Sequence, residues 1–224
     1  HFEPQTYSVQ CCNGNVYYYD RYSIQMVSHE SIFKCKPNEV VTMKRLSLGS
    51  TLHCASMHRS QDKRIAIVSE KFMDHQSFVA ILDTKLNKLS ANLRHPEGCQ
   101  IRNAEWSNDS KHMFTTGLVP KYNWNPRHSQ GEYSQTGFIF QWDVETQTNS
   151  SSFDFADYSQ DGKMCVTRDG QVLVTSSDKK LLLWDCRTKR GVVKEHKGLK
   201  AHSMGFINQE QSLFTVMGGE DAWS

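Results

Sequence analysis

The hydrophobic pattern is most legible from Gly162 to Asp185, GKMCVTRDGQVLVTSSDKKLLLWD. No period near that of a helix runs through it. Met164–Thr167 reads as a short strand. Arg168-Asp169-Gly170 follows as a turn, because Asp and Gly tolerate a positive φ. Gln171–Ser176 reads as a second strand, with Val172 and Val174 at alternate positions. Ser177-Asp178-Lys179 is a second tight turn. Leu181–Asp185 is a third strand, and its apolar run suits a strand covered on both faces.

The same grammar recurs along the chain. Gly137–Asp143 is GFIFQWD, Ser77–Asp83 is SFVAILD and Asn15–Asp20 is NVYYYD. Each is an aromatic or aliphatic strand ending in Asp. The terminal Asp residues lie 63, 60 and 42 apart. The last interval fits a propeller blade of about 40–45 residues, and the longer two imply insertions. One insertion is visible at 118–136, LVPKYNWNPRHSQGEYSQT, between the strands His112–Thr116 and Phe138–Asp143. It is polar, turn-rich and holds two Pro, so it reads as a long loop of the kind that often binds partners. The predicted fold class is therefore all-β: a β-propeller of about four blades, incomplete as a ring. Residues 1–49 are expected to form a partial blade or linker, with Tyr17–Tyr19 as its last visible strand and Lys34–Leu48 as linker plus outer strand. Residues 50–224 are expected to form consecutive blades. The chain opens on His1 and stops at Ser224, which reads as a section of a longer protein.

Two segments that open blades also recur. Arg94-His95-Pro96-Glu97-Gly98 precedes a strand at Asn103–Trp106, and Glu195-His196-Lys197-Gly198 precedes one at Ala201–Ile207. A His before the inner strand, with Trp-Asp ending the third strand, resembles the WD repeat. Such a blade carries a buried hydrogen-bond chain: the His donates to an Asp in the turn between the second and third strands, and a strand hydroxyl links it to the Trp indole. Buried polar groups of this kind must be satisfied together, and they then hold the register. In the clearest blade the chain is assigned to Ser176, Asp178 and Trp184, with His95 or His196 as the His. In the earlier blade Thr115 and Trp142 remain, and the insertion displaces the turn Asp.

Val174 to Phe214 narrows the resemblance. It holds Asp178-Lys179-Lys180, Asp185-Cys186-Arg187, Gly191-Val192-Val193 and His196-Lys197-Gly198, and its next strand ends Leu213-Phe214-Thr215-Val216. This run resembles the coronins. Arg64–Ser69, Phe78–Asp83 and Lys88–His95 are similar to the first coronin blade, so the likeness covers roughly residues 60–224. The family has Pro where Cys186 stands and a different sequence after the last strand, and the insertion at 118–136 is foreign to its short members. A divergent member, such as the long tandem-propeller branch, fits these departures. The resemblance implies binding to actin filaments or trafficking machinery and a cytoplasmic, cytoskeleton-associated location.

Composition adds exclusions. The net charge of +2 points to no nucleic-acid partner. Seven Cys, an odd number with no C-x-x-C pair, argue for reduced thiols rather than a disulfide framework. No apolar run approaches the ~20 residues of a membrane span. No nucleotide loop, H-E-x-x-H or other ligand spacing occurs, so neither cofactor nor metal is expected. Ala201-His202-Ser203-Met204-Gly205 imitates a nucleophile elbow, but the polar residues before it and the strand pattern after it favour a strand. The sequons at Asn108 and Asn149 are read as chance matches. Lys179, Lys180, Arg187, Lys189, Arg190, Lys197 and Lys200, with Lys194 among them, concentrate late in the chain. They are either an ordinary solvated face or a docking patch for an acidic protein surface. The expected function is thus a protein-binding propeller with no small-molecule substrate, coronin-like; the alternative is a WD-repeat scaffold in a trafficking or ubiquitin-ligase complex.

Overall fold

A computed structural model describes residues 9–20, 23–36, 44–46, 54–69, 77–125, 130–155, 163–167, 169–177, 180–188, 191–198, 201–207 and 212–217. Among the described residues, eighteen strands and one short helix follow one another in chain order. The first sheet is β1 (Val9–Cys12), β2 (Asn15–Asp20), β3 (Ser23–Ser28) and β4 (Lys44–Leu46). The second is β5 (Cys54–Arg59), β6 (Arg64–Ser69), β7 (Phe78–Asp83) and β8 (Lys88–Arg94). The third is β9 (Gln100–Trp106), β10 (His112–Asn125), β11 (Gln130–Asp143) and β12 (Thr148–Phe155). The fourth is β13 (Met164–Val166), β14 (Val172–Ser177), β15 (Lys180–Asp185) and β16 (Val192–Lys197). A fifth holds β17 (Ala201–Ile207) and β18 (Ser212–Met217). Every sheet is an antiparallel meander in sequence order, and the first strand of each packs against the first strand of the next. This is the blade arrangement of a β-propeller, with about four blades as the sequence implies. No helix among the described residues is long and apolar enough to cross a membrane.

The period of two explains why blades stack. In β6, Ile65 and Ile67 join Cys12, Tyr17 and Ile24 in one core, whereas Ala66 and Val68 join Trp106, Phe138 and Trp142 in another. Alternate residues of one strand therefore bury against the preceding and the following blade. The fourth blade repeats this: Leu173, Leu182 and Trp184 pack with Phe114 and Ile139, whereas Val174 and Leu181 pack with Ala201. A run such as RIAIVS is apolar at nearly every position because both of its faces are interior.

The turns between first and second strands repeat a device that the sequence reading passed over. Ser60, Ser107 and Thr167 each place a hydroxyl two residues before an Asp, and each donates to that Asp. The same hydroxyls accept the N–H of Arg64, His112 and Val172, which starts the second strand. Residues Lys63 (φ 69°), Ser110 (φ 59°) and Gly170 (φ 70°) stand one or two positions before that strand in the left-handed region. The repeating [Ser/Thr]-x-Asp was visible in the sequence and is a better period marker than the strand-ending Asp. Only Gly reaches this conformation without strain, which costs other residues about 1–2 kcal/mol. Exposed Lys63 meets it with a full side chain. Lys63→Gly is expected to stabilise the protein by ~0.5–1 kcal/mol after the entropy of the unfolded chain is counted. A denaturant midpoint at or below that of the parent would contradict this.

Two expectations are corrected and a third is met. Tyr17–Tyr19 belongs to the second strand of a four-stranded blade, not to the last strand of a partial one. The third strand there ends at Ser28, so Asp20 is not a blade-end marker and the interval of 63 is not a blade repeat. The segment Lys34–Leu48 does hold the outer strand, β4, and its first residue ends helix α1 (His29–Lys34), whose N-cap Ser28 accepts from Ser31 N–H. Finally, 118–125 and 130–136 are strand and not loop. β10 and β11 pair without interruption from His112↔Asp143 to Asn125↔Gln130. β9 leaves β10 at Leu118 and β12 leaves β11 at Gly137, so the hairpin continues past the blade as a two-stranded ribbon. Its polar composition concealed it: cross-strand register carried out from the blade suffices to form a two-stranded ribbon without an apolar run.

Candidate functional site

The third blade assembles a buried polar chain. His95 is 2% exposed and Thr115 is fully buried. The Trp142 indole N–H donates to Thr115 Oγ1 at 3.1 Å, and Thr115 Oγ1 lies 2.7 Å from His95 Nε2. His95 Nδ1 lies 3.3 Å from the carbonyl of Leu93. Indole is only a donor, and a carbonyl only an acceptor, so the protons order themselves. Trp142 donates to Thr115, Thr115 donates to Nε2, and Nδ1–H donates to Leu93. The ring of His95 is neutral in this scheme. Burial also pushes its pKa down, to about 4. Three aromatic rings surround it, with centroids 5.9, 5.5 and 4.8 Å away at Phe138, Phe140 and Trp142. His95 thus ties the end of the second blade to the two strands that run out into the ribbon.

In the fourth blade the chain is shorter and differs by one residue from the expectation. Trp184 donates to Thr175 Oγ1 at 3.0 Å. Ser176 instead accepts the N–H of Lys163 at 2.8 Å. A step of one residue along a strand changes faces, so Thr175 and Ser176 address opposite blades. Counting from Trp-Asp in both blades would have found it: Thr115 lies two beyond Met113, the partner of Trp142, and Thr175 lies two beyond Leu173, the partner of Trp184. His196 is exposed on the outer strand opposite Leu181 and takes no part in the Trp184–Thr175 bond. Asp178 lies outside the described residues.

The described late basic residues do not share one surface. Lys180 opens β15 and pairs with Lys197 at the close of β16, at the end of the blade from which the ribbon projects in the third. Arg187 lies beyond the other end of β15, whose six residues span about 20 Å. It is bound there: two of its nitrogens donate to Asp185 at 2.9 and 2.8 Å, and this contact holds the Asp185 carboxyl down at about 2. Lys180 lies 3.5 Å from Glu195. Lys194 and Lys197 are exposed. Lys179, Lys189, Arg190 and Lys200 lie outside the described residues.

Two further groups went unnoticed in the sequence. Glu105 on inner strand β9 is held up at about 7 by burial. Arg64 sits 5.3 Å over the Trp106 ring and donates to the Ser110 carbonyl, joining the turns of two blades. Ser203 stands on strand β17 opposite Val216, a strand and not a nucleophile elbow. Among the described residues no three His, Cys, Asp or Glu gather to hold a metal ion. Asn108 lies in the β9–β10 turn and Asn149 on β12.

No protein-family model matches the chain, and no curated protein matches it by sequence. Solved structures match it by shape. The chain is similar to the hydrazine synthase of Kuenenia stuttgartiensis at 12% identity, over 93% of this chain and 69% of that one, with a TM-score of 0.63. It is similar to the Dos1 propeller at 9% identity, over 88% and 47%, with a TM-score of 0.58. It is similar to the acylaminoacyl peptidase of Pyrococcus horikoshii at 14% identity, over 87% and 33%, with a TM-score of 0.54. The chain spans about half of the second and a third of the third. Likenesses this distant in sequence establish the fold alone, and that fold is the β-propeller.

Proposed function

We propose that this chain is a non-catalytic, protein-binding propeller of coronin-like type, which regulates the actin cytoskeleton by binding actin filaments in the cytoplasm. Its blades use both faces for packing on each other, which leaves the two ends of the sheets as the surfaces free to recognise a partner. The observation that supports the reading most is the fourth blade, where the coronin-like run forms β15, its Asp185–Arg187 turn and the exposed strand Val192–Lys197. Exposed Lys194 and Lys197 stand on that strand, suited to an acidic surface. Co-sedimentation with actin filaments at low salt tests this. The protein is expected to pellet, less so as salt rises, and Lys194→Glu with Lys197→Glu is expected to weaken pelleting. Absence of pelleting at low salt overturns the actin reading. The ribbon, which has no counterpart in the coronin-like pattern, favours a second reading as a WD-type scaffold in a trafficking or ubiquitin-ligase complex.

A further inference from the structure

The ribbon has two edges that differ in how they are defended. On its outer side β10 pairs with no described strand beyond Leu118, and on its outer side β11 pairs with none beyond Gly137. An open edge is a template for another strand, and proteins commonly block it with Pro or Lys. The β10 edge, 119–125, contains Pro120 and Lys121. Pro has no N–H to offer an incoming strand. The β11 edge, Gln130–Thr136, reads QGEYSQT and contains no Pro, Lys or Arg.

We infer that the outer edge of β11 is an interface for a second copy of this chain, paired antiparallel about a two-fold axis at Tyr133. In that register Gln130 stands opposite Thr136 of the second copy, Gly131 opposite Gln135, Glu132 opposite Ser134 and Tyr133 opposite Tyr133. All seven positions are used, and the one charged residue never meets its own copy. Such an isologous contact closes on itself. Within each ribbon Tyr122 is the register partner of Tyr133. The joined sheet, in order β10-β11-β11-β10, therefore carries four tyrosines in one cross-strand row, the pairing that favours sheet association. The β10 edge cannot do the same across Pro120.

Sedimentation equilibrium of the chain over a range of concentrations tests this. A reversible monomer–dimer equilibrium is expected. Tyr133→Lys and Tyr133→Glu should each be monomeric, since position 133 faces itself, and an equimolar mixture of the two should dimerise. The mixture separates lost pairing from a damaged ribbon. Ser134→Glu, placed opposite Glu132, should raise the dimer dissociation constant by about tenfold or more, and Ser134→Lys should lower it. A parent chain that is monomeric at every concentration overturns the inference. So does a mixture of the two Tyr133 variants that stays monomeric.

Discussion

Gly117→Ala is expected to destabilise this protein more than alanine at any other glycine whose surroundings are described. A Cβ at position 117 would stand 1.9 Å from the carbonyl oxygen of Gln100 and 2.7 Å from Phe138 Cζ. The first neighbour is backbone and cannot swing aside. The register explains the crowding. Thr116 pairs with Asn103 and Gly117 with Ile101, so Arg102 is an extra residue on β9 and the strands bulge together there. The bulge sits where the blade ends and the ribbon starts, and it twists the hairpin out of the sheet. Alanine must push β9 from β10, opening the innermost strand of the third blade. A loss of roughly 3 kcal/mol or more is expected, or a melting temperature lower by about 6–12 °C for a chain of this size. Gly205→Ala is the control, because a Cβ there meets nothing within 4 Å. Melting followed by circular dichroism decides it: equal midpoints for the two variants would mean that the bulge is not as tight as described.

The second large effect is a dependence on pH that runs through His95. Its folded pKa is depressed to about 4 by burial, against an ordinary value near 6.5. Between these values the unfolded chain binds a proton that the folded chain refuses. Stability from the neutral ring is therefore present above pH 6.5 and is lost as pH falls towards 4, to a total of about 3 kcal/mol. The hydrogen-bond chain gives the reason in atoms. A second ring proton at Nε2 would face Thr115, which is already donating there, and Thr115 would have to find another acceptor inside the core. His58, also brought down to about 4 by burial, adds in the same direction. Glu105, held at about 7, acts the other way: its carboxyl is more easily protonated in the folded chain, so it gains stability as pH falls below 7. The contribution of His95 is therefore read as a difference. His95→Gln keeps an acceptor for Thr115 and a donor for Leu93 but does not titrate. Denaturant midpoints of parent and variant should differ most at pH 7.5 and converge by pH 4.5. A gap that stays constant across that range would remove His95 as the source.

Both effects sit at the root of the ribbon, where Gly117 permits its departure from the blade and His95 packs under Phe138, Phe140 and Trp142. The feature that distinguishes this propeller is thus attached at its most constrained point. That is a reasonable place to attach an arm that pairs with a second copy, because strain at the arm is met by the core of two blades.

Much of the fold was legible locally. Alternation and apolar runs placed β6, β7, β14, β15 and β17 within a residue or two, because a strand buried on both faces has few polar choices. Trp142, Thr115 and His95 were picked out through the resemblance to the WD repeat, which offered His95 to the fourth blade, whereas the structure joins it to Thr115 and Trp142 in the third. Other features depended on pairing between distant segments. NVYYYD looks the same as a third strand and as a second, and only the partner strands on each side decide which. The ribbon residues are as polar as a loop, and only an uninterrupted register from His112 to Asn125 makes them strands. The choice between Thr175 and Ser176 turned on which face points at Trp184, a matter of one residue in register. The late cations form one run in sequence, yet an antiparallel turn carries Lys197 back to Lys180 and leaves Arg187 at the far end. The sequence by itself determined the all-β class and the blade grammar, since these follow from local period. Only the tertiary structure decided strand order, faces, ends and the ribbon, since each depends on which distant backbone supplies the hydrogen bonds.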